Sequence, residues 1–131
     1  MKYLLLIYSD PGSWQHPMFL RDPQFLALST DERAELTRQA DELQREITRP
    51  GELIVGAALA DPVNTKTIRG RGGPPAVTDG PYLEAKEQLA GYFVVDCDSP
   101  EPAAEIASRF PDARFTGVEV RPIMDMSGQE M

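Results

Sequence analysis

Side chains that could bind a ligand or transfer a proton are concentrated just after residue 78, where a turn is followed by acidic and basic residues. In Thr78-Asp79-Gly80-Pro81-Tyr82, Asp can bond nearby backbone amides, Gly accepts a positive φ and Pro fixes its φ. This rigid turn would present Tyr82, Lys86 and Glu87, a set that could transfer a proton or bind a small anion. A structural turn followed by a short exposed helical segment explains the same residues.

The last predicted strand carries a second polar group. Strand alternation places Val118 and Val120 on the face that packs against helices. Phe115, Glu119 and Arg121 then point to the open face, where a ligand could bind. A solvated pair of mutually compensating charges is the alternative interpretation.

These two groups predict a small-molecule pocket on the open face of the sheet. In an enzyme, Asp79 or Glu119 would act as the base, while Arg121 or Lys86 would hold an anionic group. The expected ligand-binding residues are aromatic or cationic: Tyr8, Tyr82, Lys86, Tyr92 and Arg121.

His16 is the single histidine, and it is the one side chain whose charge normally changes near neutral pH. It lies between Gln15 and Pro17 in a polar, proline-rich stretch. A catalytic role for His16 would need an orienting carboxylate, such as Asp10 or Asp22. A plain surface position in the loop is the alternative.

The composition excludes several classes of protein. The 131 residues suit one domain, and 13 Lys and Arg against 21 Asp and Glu give a net charge of −8. Nucleic-acid and anionic-membrane binding need cationic surface, so neither partner is expected. One Cys and one His exclude an intramolecular disulfide, a thiolate cluster and a multi-histidine metal site. No metal or cofactor is expected, although carboxylates alone could hold a hard cation such as Mg²⁺. Cys97 is expected to be a small buried residue.

The N-terminal run Lys2-Tyr3-Leu4-Leu5-Leu6-Ile7-Tyr8 is interpreted as a buried strand. The run is short for a signal peptide, and no small-residue cleavage site follows it. No stretch approaches the ~18 apolar residues that span a bilayer. A cytoplasmic location is therefore expected.

The rest of the chain alternates strand and helix patterns. Ser29-Thr30-Asp31-Glu32 has the spacing of a capping box and begins a helix that runs to about residue 48. A second helix follows Ser99 and ends at Pro111. The predicted strands cover residues 2–8, 53–59, 65–69, 75–78, 89–97 and 115–121, with residues 9–28 irregular. Residues 125–131 are expected to be a flexible tail beyond a domain of residues 1–124.

This order predicts an α+β, ferredoxin-like (split β-α-β) fold with an antiparallel sheet and an inserted hairpin. Two helices would cover one face of the sheet. Several side chains on the opposite face are apolar and need another cover, which a second copy of the chain would supply. A homodimer is therefore expected.

Three separated motifs resemble the YCII-related (DGPF-type) domain family. They are residues 2–8, the segment from Thr78 to Phe93 with Glu84, Lys86-Glu87 and Gly91-Tyr92-Phe93, and Val118-Glu119-Val120-Arg121-Pro122. The resemblance spans nearly the whole chain. It implies a ferredoxin-like fold whose sheets pair in a dimeric α/β barrel, with a cleft in each subunit. Members of the family often accompany extracytoplasmic-function sigma factors in genomes, which implies a regulatory association.

The sequence departs from the family pattern in two places. Some relatives suggest a His–Asp pair as active site, with the His near the start of the first helix. That region reads Leu28-Ser29-Thr30-Asp31-Glu32 here, and His16 lies well upstream, so the resemblance does not transfer the pair to this chain. Tyr82 stands where the motif has Phe, which keeps the ring and adds a hydroxyl.

Three functions from different classes fit this sequence. The first is a small-molecule enzyme of dimeric-barrel type that acts on a small anionic or polar metabolite. The second is a non-catalytic regulatory or ligand-binding module associated with a sigma factor. The third is a structural dimer whose polar residues serve folding and solubility. A ligand pocket of unassigned chemistry ranks first.

Overall fold

The computed structural model of the chain describes residues 1–10, 14–49, 51–70, 72–83 and 87–129. The strands are β1 (Lys2–Ser9), β2 (Leu53–Ala58), β3 (Lys66–Arg69), β4 (Ala76–Asp79), β5 (Gln88–Asp96) and β6 (Gly117–Pro122). The α-helices are α1 (Pro23–Leu26), α2 (Thr30–Thr48), α3 (Pro100–Ser108) and α4 (Asp112–Phe115), with 3-10 turns at Met18–Arg21 and Pro62–Asn64. None of the helices in these ranges is long and apolar enough to cross a membrane.

The main sheet has four strands in the order β2-β5-β1-β6, and each neighbouring pair is antiparallel. This is the strand order of a split β-α-β fold, in which the two crossover helices lie on one side. The predicted α+β, ferredoxin-like class is confirmed, and so is the inserted hairpin, which forms the separate two-stranded sheet β3-β4.

The hydrophobic core lies between the sheet and the helices. Alternate β1 residues Tyr3, Leu5 and Ile7 are buried, and they pack with Leu43 and Ile47 of α2. Four apolar residues that follow Ser99 complete this core: Ala103, Ile106, Ala107 and Phe110 are all buried. The prediction that Cys97 is buried is also confirmed.

The opposite side of the sheet, here called the open face, carries the predicted charged pair. In the β1–β6 register Glu119 lies opposite Leu6 and Arg121 lies opposite Leu4. Cross-strand neighbours share a face, so both charges lie beside these leucines on the open face. The two valines of β6 pack against the core, which confirms the predicted alternation.

The N-terminus of α2 shows how the local sequence begins a helix. The Ser29 hydroxyl oxygen accepts a hydrogen bond from the Glu32 amide at 3.1 Å, as a capping residue does. The Glu32 carboxylate, expected to accept from the Ser29 amide, instead accepts from the Ser29 hydroxyl at 3.0 Å. The helix ends at Thr48, and Gly51 beyond it has a φ of +80°, which glycine adopts without strain.

The prediction of an irregular stretch over residues 9–28 is wrong at two points, the 3-10 turn Met18–Arg21 and the helix α1. The Asp22 carboxylate caps α1 by accepting from the Gln24 amide at 2.8 Å. The prediction that Phe115 begins the last strand is also wrong, because Phe115 ends α4. Its ring packs edge-on against Phe25, 5.9 Å between centroids, which ties the two short helices together.

Candidate functional site

A cavity of about 460 Å³ lies on the helix-covered side of the sheet, at the β2–β5 end. It is bounded by the sheet, by one face of α2, by the segment before α1 and by the turn between α3 and α4. The lining residues are mostly apolar: Ile7, Pro17, Met18, Phe19, Ala40, Leu53, Gly56, Ala57, Ala58, Ala90, Gly91, Phe93, Phe110 and Pro111. The polar lining residues are His16, Asp41, Gln44 and Asp112.

Small residues on the strands make room for this cavity. Gly56 lies directly opposite Phe93 in the β2–β5 register. A Cβ atom at Gly56 would come within 2.6 Å of the Phe93 ring, so only glycine lets the ring lie over β2. The Phe93 ring stacks on Phe110, with 4.9 Å between centroids and 25° between planes. One wall of the cavity is therefore a fixed aromatic pair.

His16 is held at the edge of the cavity by the backbone carbonyl of Leu59, which directly follows β2. Its Nε2 lies 2.6 Å from the carbonyl oxygen of Leu59, and the indole Nε1–H of Trp14 donates to the same oxygen at 3.0 Å. A carbonyl oxygen only accepts, so the His16 proton must lie on Nε2. The neutral imidazole then has its lone pair on Nδ1, which is the atom available as a base.

Asp112 is the buried acid of the cavity, with only 8% of its surface exposed. Burial raises the pKa of Asp112 from 3.8 to about 6, because removal from water disfavours the charged carboxylate. A hydrogen bond with its own backbone and the charge of His16 lower that pKa, and the charge of Asp22 raises it. A carboxyl that changes charge near neutral pH and shares a cavity with an imidazole can take part in proton transfer.

The sequence identified His16 but missed Asp112. It named Asp10 or Asp22 as the orienting carboxylate, whereas the buried carboxylate that shares the cavity with His16 is Asp112, from the far end of the chain. Asp112 follows Pro111 at the end of a helical pattern, and its type and spacing carry no signal that distinguishes it from an exposed acid. Asp41 and Gln44 were missed because they resemble the solvated face of α2.

On the open face the structure brings together three of the predicted site residues. The Tyr8 hydroxyl donates to the Glu119 carboxylate at 3.0 Å. Burial, that hydrogen bond and the Glu119 charge raise the pKa of Tyr8, whereas the charge of Arg121 lowers it. Tyr92 lies on the same face, opposite Leu6 in the β1–β5 register.

The predicted residues of the turn lie apart from both groups. The Asp79 carboxylate pairs with the Lys66 ammonium across the hairpin rather than with backbone amides of its own turn. Gly80 has a φ of +97°, as expected for that turn. Tyr82 is exposed and lies beneath the Arg69 guanidinium, 4.4 Å from its ring centroid. Lys86 and the short helical segment predicted around it lie outside the described residues.

No group of three or more His, Cys, Asp or Glu side chains with metal-binding geometry occurs among the residues that the structure describes.

Comparisons with other proteins extend over most of the chain. An uncharacterized protein of Rhizobium meliloti (strain 1021) is 35% identical over 125 residues, which is 94% of this chain and 92% of that protein. A solved structure, 5-chloro-2-hydroxyhydroquinone dehydrochlorinase from Burkholderia phenoliruptrix AC1100 in complex with 2,5-dihydroxybenzoquinone, aligns with a TM-score of 0.47 and 11% identity. That alignment covers 98% of this chain and 99% of the other.

The sequence profile of the YCII-related domain matches residues 1–127, which is nearly the full length. The strand order and the inserted hairpin agree with the fold that the sequence resemblance implied. The chain belongs to the YCII-related domain family.

Proposed function

We propose that the cavity is the binding site of a small molecule and that His16 and Asp112 transfer protons to and from it. The observation that carries this proposal is the shared cavity, which joins the single imidazole of the chain to a buried carboxyl. Its volume of about 460 Å³ is that of a metabolite site, and few polar groups converge in an apolar lining. Side chains with shifted pKa values in such cavities are candidates for acid–base roles.

The surroundings of His16 and Asp112 give the two side chains different roles in proton transfer. His16 is exposed at the cavity edge, and its Nε2–H is engaged by Leu59, so Nδ1 is the atom that would accept a proton. Asp112 is buried and is a proton donor at mildly acidic pH, where its carboxyl is still protonated. The reaction class is general acid–base catalysis, such as enolisation or elimination, on a compact molecule.

Ligand binding is tested by a thermal-shift screen of compact metabolites. A ligand at about 100 times its Kd stabilises the fold by ~2.7 kcal/mol. Ala40 lines the cavity, so Ala40→Leu should abolish the shift, because the added carbons occupy ligand space. Ala34 is exposed on the same helix, so the thermal shift should persist in the control variant Ala34→Leu. A shift that survives Ala40→Leu, or a screen without any hit, would contradict binding in this cavity.

His16→Asn separates an enzyme from a non-catalytic binding module. If His16 is catalytic, the wild-type protein converts the bound molecule, and His16→Asn binds it but leaves it unchanged. If the wild-type protein also returns the ligand unchanged, the catalytic part of the proposal is wrong and the binding part stands.

We also propose that the chain forms a homodimer through the open face of its sheet. Leu4, Leu6 and Tyr92 lie on that face and are only half-buried within one chain. A second copy would remove these apolar side chains from water. The Tyr8, Glu119 and Arg121 group lies on the same face, and its predicted role in ligand binding would be played at that interface.

A further inference from the structure

The charges around the cavity distinguish between classes of ligand. Three ionisable side chains line it: Asp41, Asp112 and His16. Two of them are acids, and His16 is the one that can become positive. Among the described residues that line the cavity, none is a lysine or an arginine. A bound anion would therefore meet carboxylates without a permanent cation to pair with.

Asp112 is the buried ionisable residue of the lining, whereas Asp41 and His16 are exposed. The charge of His16 lowers the pKa of Asp112, and the smaller effect of the Asp22 charge raises it. Asp41 borders both the cavity and a neighbouring groove lined by Arg33, Arg38 and Arg45, so its contribution is shared with those cations. A buried carboxylate is costly to leave charged without a partner, and a positive ligand group would supply one.

The apolar wall complements such a ligand. Phe93 and Phe110 present a stacked aromatic pair, and strands β2 and β5 contribute Gly56, Ala57 and Gly91 with little side-chain bulk. A compact apolar body fits against this surface. Aromatic rings also attract cations through their negatively charged faces.

We infer that the cavity selects a compact amine, with a protonated nitrogen directed to Asp112 and an apolar body against the Phe93–Phe110 wall. This inference rests on the proposed binding function and adds the charge of the ligand to it. It differs from the anionic ligand expected for the open face, where Arg121 was the binding group.

Three probes of one shape test the sign of the charge: benzylamine, benzyl alcohol and benzoate. Each is titrated into the full chain at neutral pH, and binding is followed by amide shifts of the cavity residues in NMR spectra. We expect benzylamine to bind roughly tenfold more tightly than benzyl alcohol, which corresponds to one decade of Kd. Benzoate should bind most weakly of the three.

Asp112→Asn should lower the affinity for benzylamine to that for benzyl alcohol. Its affinity for benzyl alcohol should stay within about twofold of the wild-type value. Asp98→Asn, an exposed carboxylate outside the cavity lining, should keep the preference. Asp41→Asn provides a second cavity variant if Asp112→Asn does not fold, and it should reduce the preference in the same direction.

The two proposals fail in different ways. If benzoate binds as tightly as benzylamine and shifts the same amides, the binding site stands and the charge inference is overturned. A preference for benzylamine that survives both cavity variants would overturn it as well. If no probe shifts the cavity amides at millimolar concentration, the site does not bind compact aromatic molecules, and both proposals are contradicted.

Discussion

The imidazole Nε2 of His16 lies 2.6 Å from the carbonyl oxygen of Leu59, a hydrogen bond between the loop after β1 and the end of β2. This contact does two things. It ties the segment before α1, which lines the cavity, to the end of β2. It also selects one tautomer, because a carbonyl oxygen can only accept a hydrogen bond from a nitrogen that carries a proton. The base that the proposed function requires is therefore Nδ1.

The tautomer of His16 can be measured directly because the sequence contains one histidine. In an untagged, ¹⁵N-labelled sample at mildly alkaline pH, long-range ¹H–¹⁵N correlation should show the pattern of the Nε2–H form. Trp14→Phe removes the other donor to Leu59 and should leave this pattern unchanged. An Nδ1–H pattern in the wild-type protein would mean that the His16–Leu59 bond does not form in solution.

The raised pKa of Asp112 predicts a pH-dependent stability. The pKa is 3.8 in an unconstrained carboxyl and about 6 in the fold, so between these values the folded state binds the proton more tightly. The contribution of Asp112 to stability is complete below about pH 4 and is lost as pH rises through 6. The loss amounts to roughly 3 kcal/mol, since each pKa unit corresponds to ~1.4 kcal/mol.

Asp112→Asn removes this titration while keeping the side-chain size. The wild type loses the Asp112 contribution as the pH rises, and the variant does not. The unfolding free energy of Asp112→Asn minus that of wild type should therefore rise by roughly 2–3 kcal/mol from about pH 4 to about pH 8. Urea unfolding at several pH values measures the difference. Asp98→Asn, at an exposed position, should run parallel to the wild type. If Asp112→Asn also runs parallel to the wild type, the Asp112 carboxyl is not shielded from water in the folded protein.

How much of this molecule follows from its sequence depends on how local each signal is. The strand alternation that placed Glu119 and Arg121 on the open face involves a single strand, and it is confirmed. The capping spacing after Ser29 is equally local, and α2 begins there. Such features need only the chain's own periodicity and hydrogen-bonding geometry.

The cavity could not be predicted in the same way, because its parts come from distant segments. His16 and Asp112 lie near opposite ends of the chain and share one cavity in the fold. The Phe25–Phe115 ring contact joins α1, which follows His16, to α4, which contains Asp112. Neither short helix has a strong periodic pattern. The burial of Asp112 is a tertiary property, and a single acidic residue in a sequence does not report it.

The open face predicts the oligomeric state. Sedimentation of the wild-type chain at micromolar concentration should show a dimer. Leu6 lies on the open face, so Leu6→Glu should shift the chain to monomer by placing a charge in the interface. Leu26→Glu adds the same charge at an exposed position of α1 and should leave the dimer intact. A monomeric wild type, or a dimeric Leu6→Glu variant, would exclude this interface.

Two serines at helix N-termini provide a matched test of capping. Ser29 accepts the Glu32 amide at 3.1 Å, whereas Ser99 makes no side-chain capping bond to α3. Ser29→Ala should therefore lower the free energy of unfolding by about 1 kcal/mol. Ser99→Ala should lower it by less than about 0.5 kcal/mol. Urea unfolding measures both, and equal losses would mean that the hydrogen bond is not the source of the effect.

Gly56 predicts how tightly the aromatic wall of the cavity is fixed. A Cβ atom there would lie 2.6 Å from the Phe93 ring, and that ring cannot move freely because it stacks on Phe110 at 4.9 Å. We expect Gly56→Ala to destabilise the fold by roughly 1–3 kcal/mol, as an overpacked core does. The displaced ring should also weaken ligand binding in the cavity.

Gly73→Ala is the control for this substitution, because a Cβ atom there meets no atom within 4 Å. Its effect should stay within about 0.5 kcal/mol of wild type. If Gly56→Ala is equally mild, Phe93 has room to withdraw, and the wall adapts to its occupant. A large loss at Gly56 alone would instead establish a preformed wall, whose ligand must fit the shape set by Phe93 and Phe110.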